Sequence, residues 1–238
     1  MNRIPRRLKA LAAFVLAAPI YARAQSPTAL NFNDQGTFVI SYAGRPIGTE
    51  KFSIRTTSKQ VEAQGEIRLQ YEDGGRRVDL QTFPKLVLDS ALEPITYTWD
   101  EKSPDSNHLE VDFRSSPARS TLKKSDGKED VREFRFGPNL VVLDDNVVHH
   151  YELLAVRYLQ KPGGIQAFNG YIPQEALPGA LAVSDAGTGG AKMDGKNKNL
   201  KHLIVSTDSL RVDLWVDQAG RVERVSFPSA QLEATRKK

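Results

Sequence analysis

Residues 145–160 read DNVVHHYELLAVRYLQ, the stretch of the chain where apolar residues recur at helical rather than strand spacing. Val147, Val148, Tyr151, Leu154, Ala155, Tyr158 and Leu159 fall on one side, and Lys161-Pro162-Gly163-Gly164 stops the pattern. The spacing predicts a helix over 146–160, with Asp144, Asp145 or Asn146 capping its start. One amphipathic helix must bury its stripe somewhere, and a sheet is the large apolar surface that the remaining sequence offers.

That remainder alternates with period two. Phe38, Ile40 and Tyr42 are followed, after the turn AGRP (43–46), by Gly48, Glu50, Phe52 and Ile54. Ile67, Leu69 and Tyr71 come next, then Val78, Leu80 and Thr82, then Ile95, Tyr97 and Trp99, then Leu109, Val111 and Phe113. Glu72-Asp73-Gly74-Gly75, Ser103-Pro104-Asp105 and Ser125-Asp126-Gly127 punctuate these runs. One-sided alternation with short turns argues an antiparallel sheet that is wet on one face. The expected fold is mainly β: a curved antiparallel sheet, or open half-barrel, wrapped around one central α-helix. Residues 36–236 are read as a single domain, with 186–201 (AGTGGAKMDGKNKNLK) as a flexible hairpin loop.

The N-terminus reads as an export signal. Arg3, Arg6, Arg7 and Lys9 precede the apolar run Leu11–Ile20, and Ala22-Arg23-Ala24 offers a cleavage site before Gln25. Residues 1–24 are therefore expected to be removed, 25–35 to form a loose leader, and the product to be periplasmic with no membrane-spanning segment. The signal holds five basic residues and no acids, which leaves 28 basic against 29 acidic side chains. The basic balance of the full chain thus gives no argument for a nucleic-acid partner. The absence of cysteine rules out disulfides, thiolate metal sites and cysteine nucleophiles.

Chemistry-bearing motifs are sparse. His149 and His150 are adjacent on the helix and point about 100° apart, so they cannot chelate one metal from one face. Both fall toward the polar flank of the apolar stripe and are expected to be exposed or capping. GTGGAK (187–192) departs from a phosphate loop at Met193, and no nucleophile elbow surrounds any serine. No catalytic residue, metal or cofactor is predicted. The inward-looking aromatics Phe38, Tyr42, Phe52, Tyr97, Trp99, Tyr151 and Tyr158 are core or the lining of a ligand cavity. Trp215 shares the polar face of LRVDLWVDQ with Arg211, Asp213 and Asp217, where it marks a partner surface or lies under a loop.

YAGRPIGTEKFSI (42–54), NVVHHYELLAVRYL (146–159) and DLWVDQAGRVERVSFPS (213–229) resemble segments of exported bacterial proteins of unknown function. The arrangement is similar in outline to lipoprotein-carrier half-barrels, in which a curled antiparallel sheet is plugged by helices and holds acyl chains. The resemblance implies a carrier for an apolar or amphipathic small molecule, such as a lipid, between sheet and helix. The alternatives are a non-catalytic envelope assembly protein, acting on another envelope protein through a sheet edge or the Trp215 face, and a secreted enzyme using His149 or His150.

Overall fold

The computed structural model describes residues 32–193 and 196–237. The expected export signal and most of the leader lie outside the described residues. Fifteen strands and one helix follow in order: β1 (Asp34–Tyr42), β2 (Arg45–Thr56), β3 (Gln60–Asp73), β4 (Arg76–Asp89) and β5 (Pro94–Ser103). Then come β6 (His108–Asp112), β7 (Ala118–Lys123), β8 (Glu129–Phe134), β9 (Leu140–Val142) and α1 (His149–Leu159). The chain continues through β10 (Ile165–Ile172), β11 (Leu177–Met193), β12 (Lys196–Ser206), β13 (Arg211–Val216), β14 (Val222–Phe227) and β15 (Leu232–Lys237). A single 3-10 turn at Pro228–Ala230 links the last two strands.

All fifteen strands belong to one sheet, ordered β8-β7-β6-β5-β4-β3-β2-β1-β15-β14-β13-β12-β11-β10-β9. Two meanders thus run outward from the pairing of β1 with β15, in which Thr37 faces Lys237 and Ile40 faces Ala234. Every ladder is antiparallel except the short parallel one between β9 and β10. Among the described residues no ladder joins the edge strands β8 and β9, so the sheet is open. It is nevertheless curled, because its opposite edges meet. The Phe134 ring on β8 lies 5.0 Å from Tyr171 on β10, and Phe136 and Phe113 lie 4.9 and 6.2 Å from the same tyrosine. Aromatic packing closes a seam that backbone hydrogen bonds leave open.

Alternation puts one face of the curl inside. On β2, Glu50, Phe52 and Ile54 are buried; on β4, Thr82, Pro84, Leu86 and Leu88; on β5, Tyr97 and Trp99. Inside this wall lies α1. Nine of its eleven residues are buried, and only Arg157 and Leu159 reach even partial exposure. A helix buried on all sides has no solvent flank. The expectation that His149 and His150 sit exposed on a polar flank is therefore corrected: they are 0% and 1% exposed. The helix begins at His149 rather than Asn146, and no side chain of Asp144, Asp145 or Asn146 caps it.

Two glycines bring the sheet close to this helix. Gly220, at φ +87° in the β13–β14 turn, is where an added Cβ would lie 3.1 Å from Val156 Cγ2. Gly65 on β3 is where one would lie 3.1 Å from the His149 ring and 3.3 Å from the Glu50 carboxylate. Residues 186–201 are also corrected. Thr188–Met193 and Lys196–Lys201 form the outer part of the β11–β12 hairpin, with Thr188 facing Lys201 and Gly190 facing Asn199, beyond a register shift between Asp185 and Thr188. Backbone pairing needs no large side chains, which is why a glycine-rich run can extend two strands.

Candidate functional site

Two polar clusters, and a cavity with a buried acid on its wall, are arranged around α1. The first cluster sits at the helix start. Val148 and His149 present backbone N–H groups that no residue of the helix can satisfy. Glu50, fully buried on β2, accepts from Val148 N–H at 2.7 Å and from His149 N–H at 3.4 Å. The same carboxylate accepts from His149 Nδ1. A strand residue almost a hundred positions upstream thus caps the helix, and Gly65 leaves the space in which the Glu50–His149 pair fits. The Phe52 ring stacks on His149 at 5.8 Å, and Phe38 stacks on Phe52 at 5.2 Å.

The second cluster lies one turn on. Glu152 Oε2 accepts from Arg236 on β15 at 2.5 Å and from Val222 N–H at 2.9 Å. Arg236 also donates to Asp34 at 2.7 Å and lies 5.1 Å from both the Phe38 and Phe52 rings. Burial, and then the neighbouring Asp34 carboxylate, push the Glu152 carboxyl well above the ordinary range. At the helix end, Arg157 donates to Leu92 O at 3.1 Å, to Leu140 O at 2.6 Å and to the Glu93 carboxylate. These contacts tie the helix to β2, β9, β14, β15 and the loop before β5.

The cavity opens beside the helix start, with a volume of about 560 Å³. Val147, Val148 and Tyr151 form one wall, and Leu177–Leu181 of β11 form another. Val205, Leu210, Val212, Phe227 and Leu232 close it from the later strands. Gly170 faces Gly179 in register across β10 and β11, so two side chains are missing from the wall at one level. An added Cβ at Gly179 would meet nothing within 4 Å. At the mouth, Leu177 and Leu210 are 54% and 36% exposed.

Asp144 is the buried polar group on this cavity. Its Oδ2 accepts from the Tyr97 hydroxyl and its Oδ1 from Gln174 N–H at 3.0 Å. Burial raises its carboxyl to about 6 despite these bonds. Burial likewise lifts the Tyr97 hydroxyl well above its ordinary value, with Asp144 adding to the effect. His150 accepts from the Asp144 backbone N–H through Nδ1 at 3.2 Å, and burial, then His149, lowers its affinity for protons far enough to keep it neutral. Its remaining proton is therefore on Nε2, which has no hydrogen-bond partner.

The sequence-derived ligand residues scatter among these features. Tyr151 lines the cavity. Phe38 and Phe52 pack in the stack over His149 and Arg236, and Tyr97 holds Asp144. Trp99 is buried on β5, and Tyr158 is buried with its hydroxyl donating to Gly164 O at 3.0 Å. Tyr42 departs from the inward expectation. At the end of β1, next to the Ala43–Gly44 turn, it passes the rim of the sheet and is 52% exposed. Trp215 is half-buried between the His202 ring, stacked at 4.9 Å, and the Arg224 guanidinium at 4.5 Å. The sequence reading missed Glu50, Glu152 and Asp144 as site residues. For Glu50 a signal was present, a lone acid among Gly48, Phe52 and Ile54 on an inward strand face.

No family model matches the chain, and neither does any curated protein. Among solved structures, a β-barrel-like protein of the domain of unknown function DUF1849 from Brucella abortus is similar at a TM-score of 0.60 and 8% identity. That match covers 87% of this chain and 96% of the other. A DUF1089 family protein from Pseudomonas aeruginosa is similar at a TM-score of 0.45 and 14% identity, over 76% of this chain and 90% of its own. The likeness is one of fold: this chain's fold is similar to that of a bacterial β-barrel-like protein of unknown function.

Proposed function

We propose that this chain binds an apolar or amphipathic small molecule in the cavity beside the start of α1, and that it does so outside the cytoplasm, delivered by its N-terminal export signal. The observation that carries the reading is the cavity itself. At about 560 Å³ it falls within the roughly 300–1,000 Å³ of small-molecule sites. Its wall is mostly Val, Leu, Ile, Ala and Gly, with Leu177 and Leu210 half-open at the mouth. Each ~100 Å² of apolar ligand surface removed from water there contributes roughly 2.5 kcal/mol, before the cost of association. An assembly role through Trp215 has less behind it, because that indole is already covered by His202 and Arg224. The open edge at β8 carries Glu129, Asp130, Arg132 and Glu133, a composition that discourages strand addition.

Binding of a neutral hydrophobic fluorophore such as N-phenylnaphthylamine tests the reading. Wild-type protein is expected to enhance its emission saturably. Gly179→Trp, which places an indole on the strand face shared with buried Leu181, is expected to abolish the signal without lowering the melting temperature. Equal binding by both proteins, or none by the wild type, overturns the proposal.

A further inference from the structure

Four acids are buried among the described residues: Glu50, Asp144, Glu152 and Asp213. Three of them touch a basic side chain. Glu50 has His149, Glu152 has Arg236, and Asp213 has Arg211 and His202 at 2.7 Å each. Asp144 forms no ion pair among the described residues. It is 4% exposed, and its protein partners, the Tyr97 hydroxyl and amide groups of Gln174 and Asp145, are all neutral. The nearest imidazole, His150, is turned so that its acceptor nitrogen faces the Asp144 backbone.

The cavity that Asp144 borders continues this asymmetry. Its wall also includes Asp145 and Asp208, both exposed at the mouth, and contains no Lys, Arg or His. A buried carboxylate without a counter-charge is expensive to keep ionised, whereas a cation delivered to it in a low-dielectric wall is held strongly. The donors to its carboxylate, the Tyr97 hydroxyl and amide groups of Gln174 and Asp145, are all uncharged, so none of them balances its charge. A carboxylate or phosphate head would instead meet three acids and no donor side chain of positive charge.

Resting on the cavity reading above, we infer that the occupant is a cationic amphiphile, an alkylammonium in chemical class, whose head pairs with Asp144 while its chain lies along the wall of Val148, Leu181, Val205 and Val212. Asp145 and Asp208 draw the cation toward the mouth, and Asp144 receives it. The Tyr97 hydroxyl and Gln174 N–H hold the carboxylate in place, so little side-chain freedom is lost on binding.

Dodecylammonium, dodecanol and dodecanoate share a chain and differ only in the head. Their competition against the neutral fluorophore on the wild-type protein, at neutral pH and low salt, separates the possibilities. Dodecylammonium is expected to bind about tenfold or more tighter than dodecanol, with dodecanoate weakest. In Asp144→Asn the ammonium-to-alcohol ratio is expected to fall to within about threefold. Dodecanol or dodecanoate binding as tightly as dodecylammonium to the wild type overturns the head-group assignment and leaves the cavity reading intact. The same holds if the preference persists unchanged in folded Asp144→Asn. If the fluorophore binds in the cavity and none of the three amphiphiles displaces it, the assignment also fails. Should Asp144→Asn not fold, the order of the three heads on the unaltered chain decides alone.

Discussion

Glu50 and Asp144 stand on either side of the start of α1, one on β2 and one in the loop that enters the helix. Both are buried acids within reach of the same histidine pair, yet their surroundings differ in kind. Glu50 accepts from two backbone N–H groups and a histidine ring, in a space cleared by Gly65. Asp144 accepts from neutral donors alone and borders an apolar cavity. The contrast teaches that burial of an acid does not mark a site by itself. What separates the two is whether the protein has supplied everything the acid needs.

The comparison is broken most directly by Glu50→Ala. This change orphans Val148 N–H, His149 N–H and the His149 ring at once, and is expected to cost roughly 3–5 kcal/mol in denaturant unfolding. A loss below about 1 kcal/mol would show that the cap is incidental.

Asp144 is expected to behave with the opposite sign. Its folded carboxyl titrates near 6 rather than at its ordinary 3.8, so between those values the folded state binds more protons than the unfolded state. Its contribution is therefore fully present below about pH 4 and is lost as pH rises through 6. Relative to wild type, Asp144→Asn should gain roughly 2–3 kcal/mol of stability between pH 4 and 6.5. Measuring the difference between the two proteins cancels the titration of Glu152 and the surface acids. A flat difference across that window would mean that Asp144 is not desolvated.

Gly65→Ala sharpens the contrast more gently. Its Cβ presses on both members of the Glu50–His149 pair and should cost about 1–2 kcal/mol, while leaving the Asp144 cavity and its fluorophore binding unaffected. The smallest effect is expected outside the curl. Trp215→Ala removes a stack between His202 and Arg224 on a half-solvated face, for about 1 kcal/mol by thermal unfolding.

How much of this was legible beforehand depends on the range of the interaction. The strands and the helix follow from residue spacing, and Phe38, Ile40, Phe52 and Ile54 fall inside as their alternation requires. The histidines were misread because a helix with polar residues was assumed to have a wet side, whereas here the partner of His149 comes from a strand 99 positions away. Local spacing carries no record of such a partner. Glu50 did leave a trace as an acid on an inward face, and Gly65 as a missing side chain between Ala63 and Ile67. The cavity left almost none. It depends on Gly170 standing opposite Gly179, and that register exists only once β10 and β11 have paired.

The pairing of β1 with β15 sets an order of events for the whole chain. Thr37 cannot find Lys237 until the last described strand has been made, and the two meanders stay unjoined until then. The seam at the centre of the sheet, not the aromatic one at its edges, is therefore the later of the two that synthesis permits. Contacts this distant in sequence close slowly, and until they do β1 and β14 expose bare strand edges. A chain that stops before Leu232 would carry an unpaired gap through the middle of the sheet, which makes completion of β15 a checkpoint for folding rather than a finishing detail.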